Sequence, residues 1–260
     1  MLSFRPRSCR STLASRLVTE TVANARLLFS TRRGRTTTCN ALFMTLLVAA
    51  LALPQPVKAE AAAQTVSERQ SGGADFGGEV ASRDAREVAD WASSSGDRRN
   101  LPFAIVDKRN AKVFVFDAHG KFRGAAAALL GMGVGDDTVP GIGQRRLATI
   151  APEERTTPAG RFEAALGHDF DQDILWVDYE TSLSLHRVIT SHPKERRRQR
   201  LTSATPLDNR ISYGCINVPA EFYDKVVIPA FTGTVGIVYI LPETKPLAKV
   251  FPIAARAGRN

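Results

Sequence analysis

At 260 residues the chain is long enough for one large domain or two small ones with a real core. Its net charge of +9 would suit a nucleic-acid binder, but the distribution of charge excludes that class. Residues 1–59 hold nine Lys/Arg and one acid, which leaves 35 − 9 = 26 basic against 26 − 1 = 25 acidic residues in the remainder.

The leader is where the basic character sits. Arginines recur from Arg5 to Arg35, and an apolar run over 41–53 follows. A bilayer span needs about 20 apolar residues, so this run is too short to cross one and fits the h-region of an export signal. Pro54 and Pro56 end it, and Val57-Lys58-Ala59 offers a small-residue cleavage site before Glu60. An Arg/Ser-rich, acid-poor N-terminus would also suit an organelle transit peptide; the defined h-region favours export. The mature chain is then expected from about Glu60 onward, exported and with no stable membrane anchor. Cys9 and Cys39 leave with the leader, and Cys39 precedes the apolar run, so no lipid-anchored cysteine is indicated. Cys215 remains as a lone thiol that can form no internal disulfide. In an oxidising compartment such a thiol needs either a role or burial.

Residues 60–100 read as linker and short helix. Ala, Gly, Ser and charge dominate to about Gly78, and a helix over 79–91 would use Val80, Val88 and Trp91 as apolar contacts. From Leu101 the pattern changes to short strands: 103–106 and 112–116 around the turn-prone Asp107-Lys108-Arg109-Asn110, then an extended segment over 121–131. Gly131, Gly133 and Gly135 invite a phosphate-loop reading, but no Lys-Ser/Thr follows. Further strands are expected at 162–166, 174–179, 183–188 and 234–241. Many short strands with few helices predict a mostly β domain over 101–243, followed by a loose basic tail over 244–260.

The stretch Ile211-Ser212-Tyr213-Gly214-Cys215-Ile216-Asn217-Val218-Pro219 places the lone thiol beside a glycine, ahead of a helix that Pro219 would open. A helix N-terminus there would favour the thiolate. The plain alternative is a small buried hydrophobe. A thiol nucleophile also needs a base. Of the four histidines, His119 falls in a turn, His168 near a strand end and His192 in a loop, whereas His186 closes the run Leu183-Ser184-Leu185 at a strand end.

Thr157-Pro158-Ala159-Gly160-Arg161-Phe162, the strand-end His186 and Ser212-Tyr213-Gly214-Cys215-Ile216-Asn217 together resemble the L,D-transpeptidase family, the YkuD-like catalytic domain, over 101–243. The resemblance implies a mostly β, sandwich- or barrel-like domain with a short helix after the cysteine motif. It makes Cys215 the nucleophile and His186 the base, with Ser212, Tyr213 and Gly214 as oxyanion or positioning residues. It implies no cofactor and no metal. The partners would be peptidoglycan stem peptides, a donor tetrapeptide and an acceptor amine, joined through a thioester. Hydrolysis of that thioester would instead make an L,D-carboxypeptidase. Tyr213 stands where the family usually has a second histidine, which motivates a further alternative, a non-catalytic wall-binding module. Arg210 and Asn217 are substrate-binding candidates, since an arginine fork suits carboxylates. The loop between His186 and the cysteine is longer than typical and carries Lys194-Glu195-Arg196-Arg197-Arg198-Gln199-Arg200. That run is either a solvated face or a rim that gathers anionic substrate.

Overall fold

The computed structural model describes residues 73–169 and 171–253. The expected export signal, the proposed cleavage site, most of the linker and the last residues of the tail lie outside the described residues.

Ten strands follow a first helix, α1 (Arg83–Ser94): β1 (Phe103–Asp107), β2 (Lys112–Phe116), β3 (Phe122–Ala127), β4 (Leu130–Gly131), β5 (Gly160–Asp169), β6 (Gln172–Asp178), β7 (Leu183–Arg187), β8 (Arg210–Ser212), β9 (Ile216–Val218) and β10 (Val235–Ile240). Eight of them form one sheet in the order β3-β2-β1-β10-β5-β6-β7-β9, and β4 pairs with β8 in a small second ladder. Most pairings are antiparallel; β1–β10, β7–β9 and β4–β8 are parallel. Just past β3, Leu129 exchanges both backbone hydrogen bonds with Asn217 of β9, at 2.8 and 2.9 Å. The two ends of the sheet order therefore meet at one bridge, and the sheet is nearly closed. The fold is mostly β and barrel-like, as expected.

Alternation along the strands divides the apolar residues between two faces. One face presents Val106, Val113, Leu175, Leu185, Ile216 and Val238 to a helical stretch after β9. That stretch runs as α3 (Ala220–Phe222), a π-helical turn (Tyr223–Val227) and α4 (Ile228–Phe231). Phe222, Tyr223, Val227 and Phe231 fill this core. Pro219 is the cap before the first helical residue, one position earlier than expected. The other face, over β1, β2 and β10, is covered by α1. Ala85, Val88, Ala89 and Ala92 recur at helical spacing, and three alanines let the helix lie close to the sheet. Ser82 caps α1 by accepting from the backbone N–H of Ala85 at 3.1 Å.

The packed body is wider than 101–243. Phe76, within the expected linker, is buried edge-on against Phe114 and Phe116, with centroids 5.0 and 5.2 Å apart. Phe251, within the expected loose tail, is buried against Trp91 and Tyr239. Fully burying such a ring contributes about 1.5–3 kcal/mol, enough to hold a polar, glycine-containing segment onto the sheet. The first helix correspondingly begins at Arg83 rather than at residue 79, because Ser82 is the cap and Val80 is exposed.

A buried ion cluster sits under the turn after β1. Lys108 is fully buried, and its three protons go to the Gly135 carbonyl at 2.6 Å, Asp136 Oδ1 at 2.8 Å and the Thr157 carbonyl at 2.8 Å. Asp136 also accepts from the backbone N–H groups of Glu243, Thr244 and Lys245. Burial pushes the Asp136 carboxyl up, but these donors outweigh it and hold the group well below the usual carboxylate range.

Candidate active site

Residues of β7 and β9 that face away from the helix-covered core converge on one point. Leu185 pairs with Ile216 and His186 with Asn217, so Ser184 falls beside Cys215. Ser184 Oγ donates to Cys215 Sγ at 3.5 Å, and the thiol donates to the Ser182 carbonyl at 3.6 Å. His186 is buried, one residue from the end of β7. Its Nδ1 lies 2.7 Å from the backbone oxygen of Arg187, which can only accept. Nδ1 must therefore carry the proton, and Nε2 is left with a free lone pair. That lone pair faces Asn217 Nδ2 at 3.4 Å. His119, His168 and His192 are exposed and stand apart.

Burial alone would push the Cys215 thiol up. Hydrogen bonding and charge from His186, together with Ser184, outweigh it and hold the thiol below its ordinary value. The helix N-terminus expected to do this lies past the far end of β9, about 10 Å along a three-residue strand. The imidazole does what the dipole was expected to do.

The turn that carries the thiol is braced from within. Ser212 Oγ donates to the Cys215 carbonyl at 2.7 Å and accepts from the Gly214 N–H at 3.1 Å, so Ser212 closes the turn. Gly214 has φ +133, and a Cβ there would lie 2.8 Å from the Thr156 carbonyl, so only glycine fits. From outside, Thr157 Oγ1 donates to the Gly214 carbonyl at 2.7 Å and accepts from the Gly131 N–H at 2.9 Å. Close approach to a backbone carbonyl also explains Gly131 and Gly133 of the glycine trio, whereas a Cβ on Gly135 would meet only the Thr156 side chain at 3.3 Å. A Cβ on Gly131 would stand 2.2 Å from the Arg155 carbonyl, so the spacing admits a neighbouring segment rather than a phosphate.

Above Cys215 opens a cleft of about 470 Å³. Its walls come from Ile142 and Leu147 of two short 3₁₀ turns, from Ile150, which caps the second, and from Ser182, Leu183 and Tyr213. Tyr213 lies flat under Arg155, whose guanidinium carbon is 3.9 Å from the ring centroid, so the residue in the place of a histidine forms a wall. Ser182 holds a left-handed backbone, φ +57, uncommon for a non-glycine residue, and that turn aims its carbonyl at the thiol.

Arg210 is not part of this cleft. Its guanidinium pairs with Glu243 and donates to the Lys108 carbonyl at 3.1 Å, leaving it nearly buried in the ion cluster. It braces β8 instead of awaiting a carboxylate. Asn217 is present at the site but is spent on protein partners: Nδ2 donates to the Cys215 carbonyl at 3.2 Å, and Oδ1 accepts from Arg197 at 2.8 Å.

Ser184, Ser182, Thr157 and Arg197 were not singled out from the sequence as site residues. Ser184 was within reach, since Leu183-Ser184-Leu185-His186 alternates and puts both polar residues on one strand face. One row across that face reads Ala165, Trp176, Ser184, Cys215. Trp176 stacks on the exposed Tyr179, with ring centroids 4.7 Å apart and planes 25° from parallel. Among the described residues no group of three or more His, Cys, Asp or Glu is placed to hold a metal ion.

No family model and no curated protein matches the chain. Among solved structures it is similar to the catalytic domain of an L,D-transpeptidase from E. faecium, at 17% identity over 55% of this chain and 98% of that one, with a TM-score of 0.33. It is also similar to the helical cell shape determining protein Pgp2 from Campylobacter jejuni, at 12% identity over 62% of this chain and 57% of that one, with a TM-score of 0.37. The K307A mutant of Pgp2 gives 12% identity over 64% and 58%, with a TM-score of 0.37.

Proposed function

We propose that this chain is a cysteine acyltransferase of the L,D-transpeptidase type, acting outside the cytoplasm on peptidoglycan stem peptides. The observation that carries the reading is the juxtaposition of Cys215, which lines a cleft, with a buried His186 whose Nδ1 carries the proton and whose Nε2 keeps its lone pair. A merely structural cysteine needs neither a lowered thiol nor a braced left-handed turn beside it.

In this reading Nε2 takes the thiol proton as Sγ attacks the carbonyl carbon of the third stem residue. Negative charge gathers on the carbonyl oxygen. The Gly214 N–H is committed to Ser212, so the Tyr213 and Cys215 N–H groups are the donors assigned to it. When the tetrahedral intermediate collapses, the C–N bond breaks. His186 returns the proton to the departing amine of the terminal D-alanine, and a thioester remains. An acceptor amine then attacks that thioester, gives its proton to His186 and expels the thiolate, which recovers the proton. Tyr213 and the apolar cleft wall pack against the donor peptide, and no metal or organic cofactor enters any step.

Incubation with purified tetrapeptide stems followed by intact-mass analysis tests this. The expected result is an acyl adduct on Cys215 that loses the terminal D-alanine and disappears when acceptor amine is added, with a cross-linked dimer as product. Release of free tripeptide despite added acceptor would make the enzyme a hydrolase. An unmodified thiol under all conditions would overturn the reading.

A further inference from the structure

Arg197 begins the short helix α2 (Arg197–Leu201) in the arginine-rich loop, yet its guanidinium is nearly buried. Nε donates to Glu195 Oε2 at 2.6 Å, and Nη1 donates to Asn217 Oδ1 at 2.8 Å. Arg196 and Arg198, by contrast, are exposed. We propose that Arg197 is a positioning residue for His186 and acts by fixing the amide of Asn217. The proposal rests on the reading of His186 as the base.

The chemistry of the three groups makes the chain directional. A guanidinium has five N–H donors and no acceptor, so it can hold Asn217 only by the oxygen. With Oδ1 held, Nδ2 must point the other way, where it meets the Cys215 carbonyl at 3.2 Å and His186 Nε2 at 3.4 Å. An N–H facing Nε2 suits its lone pair and opposes a proton there. Without the guanidinium the amide is free to turn over and offer Oδ1 to a protonated Nε2. Arg197 thereby sets which group of Asn217 the base meets, an N–H and not the carbonyl oxygen. Glu195 in turn fixes the direction of the guanidinium. The arginine run thus has three kinds of member: Arg196 and Arg198 are exposed, Arg200 donates to the Glu195 and Asp208 carbonyls, and Arg197 reaches the amide that faces the base.

His186 can be titrated directly by the NMR signal of its imidazole Cε1–H, in a Cys215→Ser protein where the thiol no longer titrates with it. His186→Gln assigns the signal among the four histidines. Arg197→Met should raise the titration midpoint by about one pH unit, the worth of one hydrogen bond to a charged group. Arg197→Lys retains charge and donor and should remain within a few tenths of the parent, and Arg198→Met should leave the midpoint unchanged. Equal midpoints for Arg197→Met and the parent would overturn the proposal, and so would an equal rise in Arg198→Met, which would reduce the effect to charge at a distance. Thermal unfolding of each variant separates a folding defect from a shifted midpoint. If Arg197→Met does not fold, the parent still decides. The Asn217 side-chain amide signal should follow the His186 titration, and an amide signal flat across it would overturn the relay. None of these measurements uses a stem peptide. Failure of acylation with an intact shift therefore removes the transpeptidase reading alone, and acylation without the shift removes the relay alone.

Discussion

Thr157 Oγ1 donates to the backbone oxygen of Gly214, 57 residues away, at 2.7 Å. Thr157 Oγ1 also accepts from the Gly131 N–H, and the Thr157 carbonyl accepts from Lys108 Nζ. One residue thereby joins the cysteine turn, the small β4–β8 ladder and the buried ion cluster. Thr157→Val keeps the shape and deletes the hydroxyl. It leaves two buried backbone groups without partners, at about 1–3 kcal/mol each. The expected result is a lower unfolding midpoint together with slower alkylation of Cys215 by a small neutral reagent. A destabilised variant that alkylates at the parent rate would mean that the turn holds its geometry without this clasp.

Cys215→Ser should abolish acylation and leave the fold intact, because the change is small and a hydroxyl at its ordinary acidity is a poor nucleophile. His186→Ala should slow acylation by about 10²–10⁴-fold, the usual range for a lost general base. Stopped-flow acylation with stem peptide measures both. Turnover by the serine variant, or an equal loss on replacing His119, His168 or His192, would move the chemistry elsewhere.

Gly214→Ala meets two obstacles, the Thr156 carbonyl 2.8 Å from the added Cβ and a φ of +133. A strained backbone of this kind costs about 1–3 kcal/mol. The turn has to move to relieve it, and Sγ moves with the turn. Urea unfolding and acylation should therefore fall together. Wild-type kinetics in this variant would show that the position tolerates a side chain.

Acid should unfold the protein through Asp136. Its carboxyl is held below the usual range in the folded chain, against about 3.9 when unfolded. A depressed folded value contributes stability that is complete above the unfolded value and is lost as pH falls through the window beneath it. Wild type should therefore lose stability progressively below about pH 5. Asp136→Asn removes a partner from a fully buried lysine, which typically costs about 3–5 kcal/mol at neutral pH. That variant should then decline less on acidification. Parallel pH curves for the two proteins would assign the acid sensitivity to other groups.

The strands and the cysteine–histidine pair were legible because they are written in local pattern. Val, Ile and Phe alternate around short turns, and the turn motif places a thiol beside a glycine. The packed ends were not. Phe76 is a single ring in a polar, glycine-containing stretch. Phe251, although flanked by Val250 and Ile253, belongs to no strand or helix pattern, so neither ring announces locally that it lands on the sheet beside α1. Arg210 misled for a related reason. Its proximity to the motif in sequence suggested a substrate fork, whereas Glu243 claims it from 33 residues further along. The helix dipole was misassigned because β9, a strand of three residues, is shorter than alternation can reveal. Arg197 was read as one of a charge run, and only the return of β9 beside β7 distinguishes it from its neighbours.

Trp176 stands one position along the row from Ser184, the side chain that touches the thiol. The chain's other tryptophan, Trp91, packs elsewhere, against Tyr239 and Phe251. Indole emission is sensitive to nearby polarity and to neighbouring sulfur. The molecule consequently carries its own lamp two strands from the nucleophile, with Tyr179 as its outer shade. In a Trp91→Phe protein the remaining emission would brighten or dim as the cleft fills and empties, so each acyl cycle could be followed by light, with no label attached.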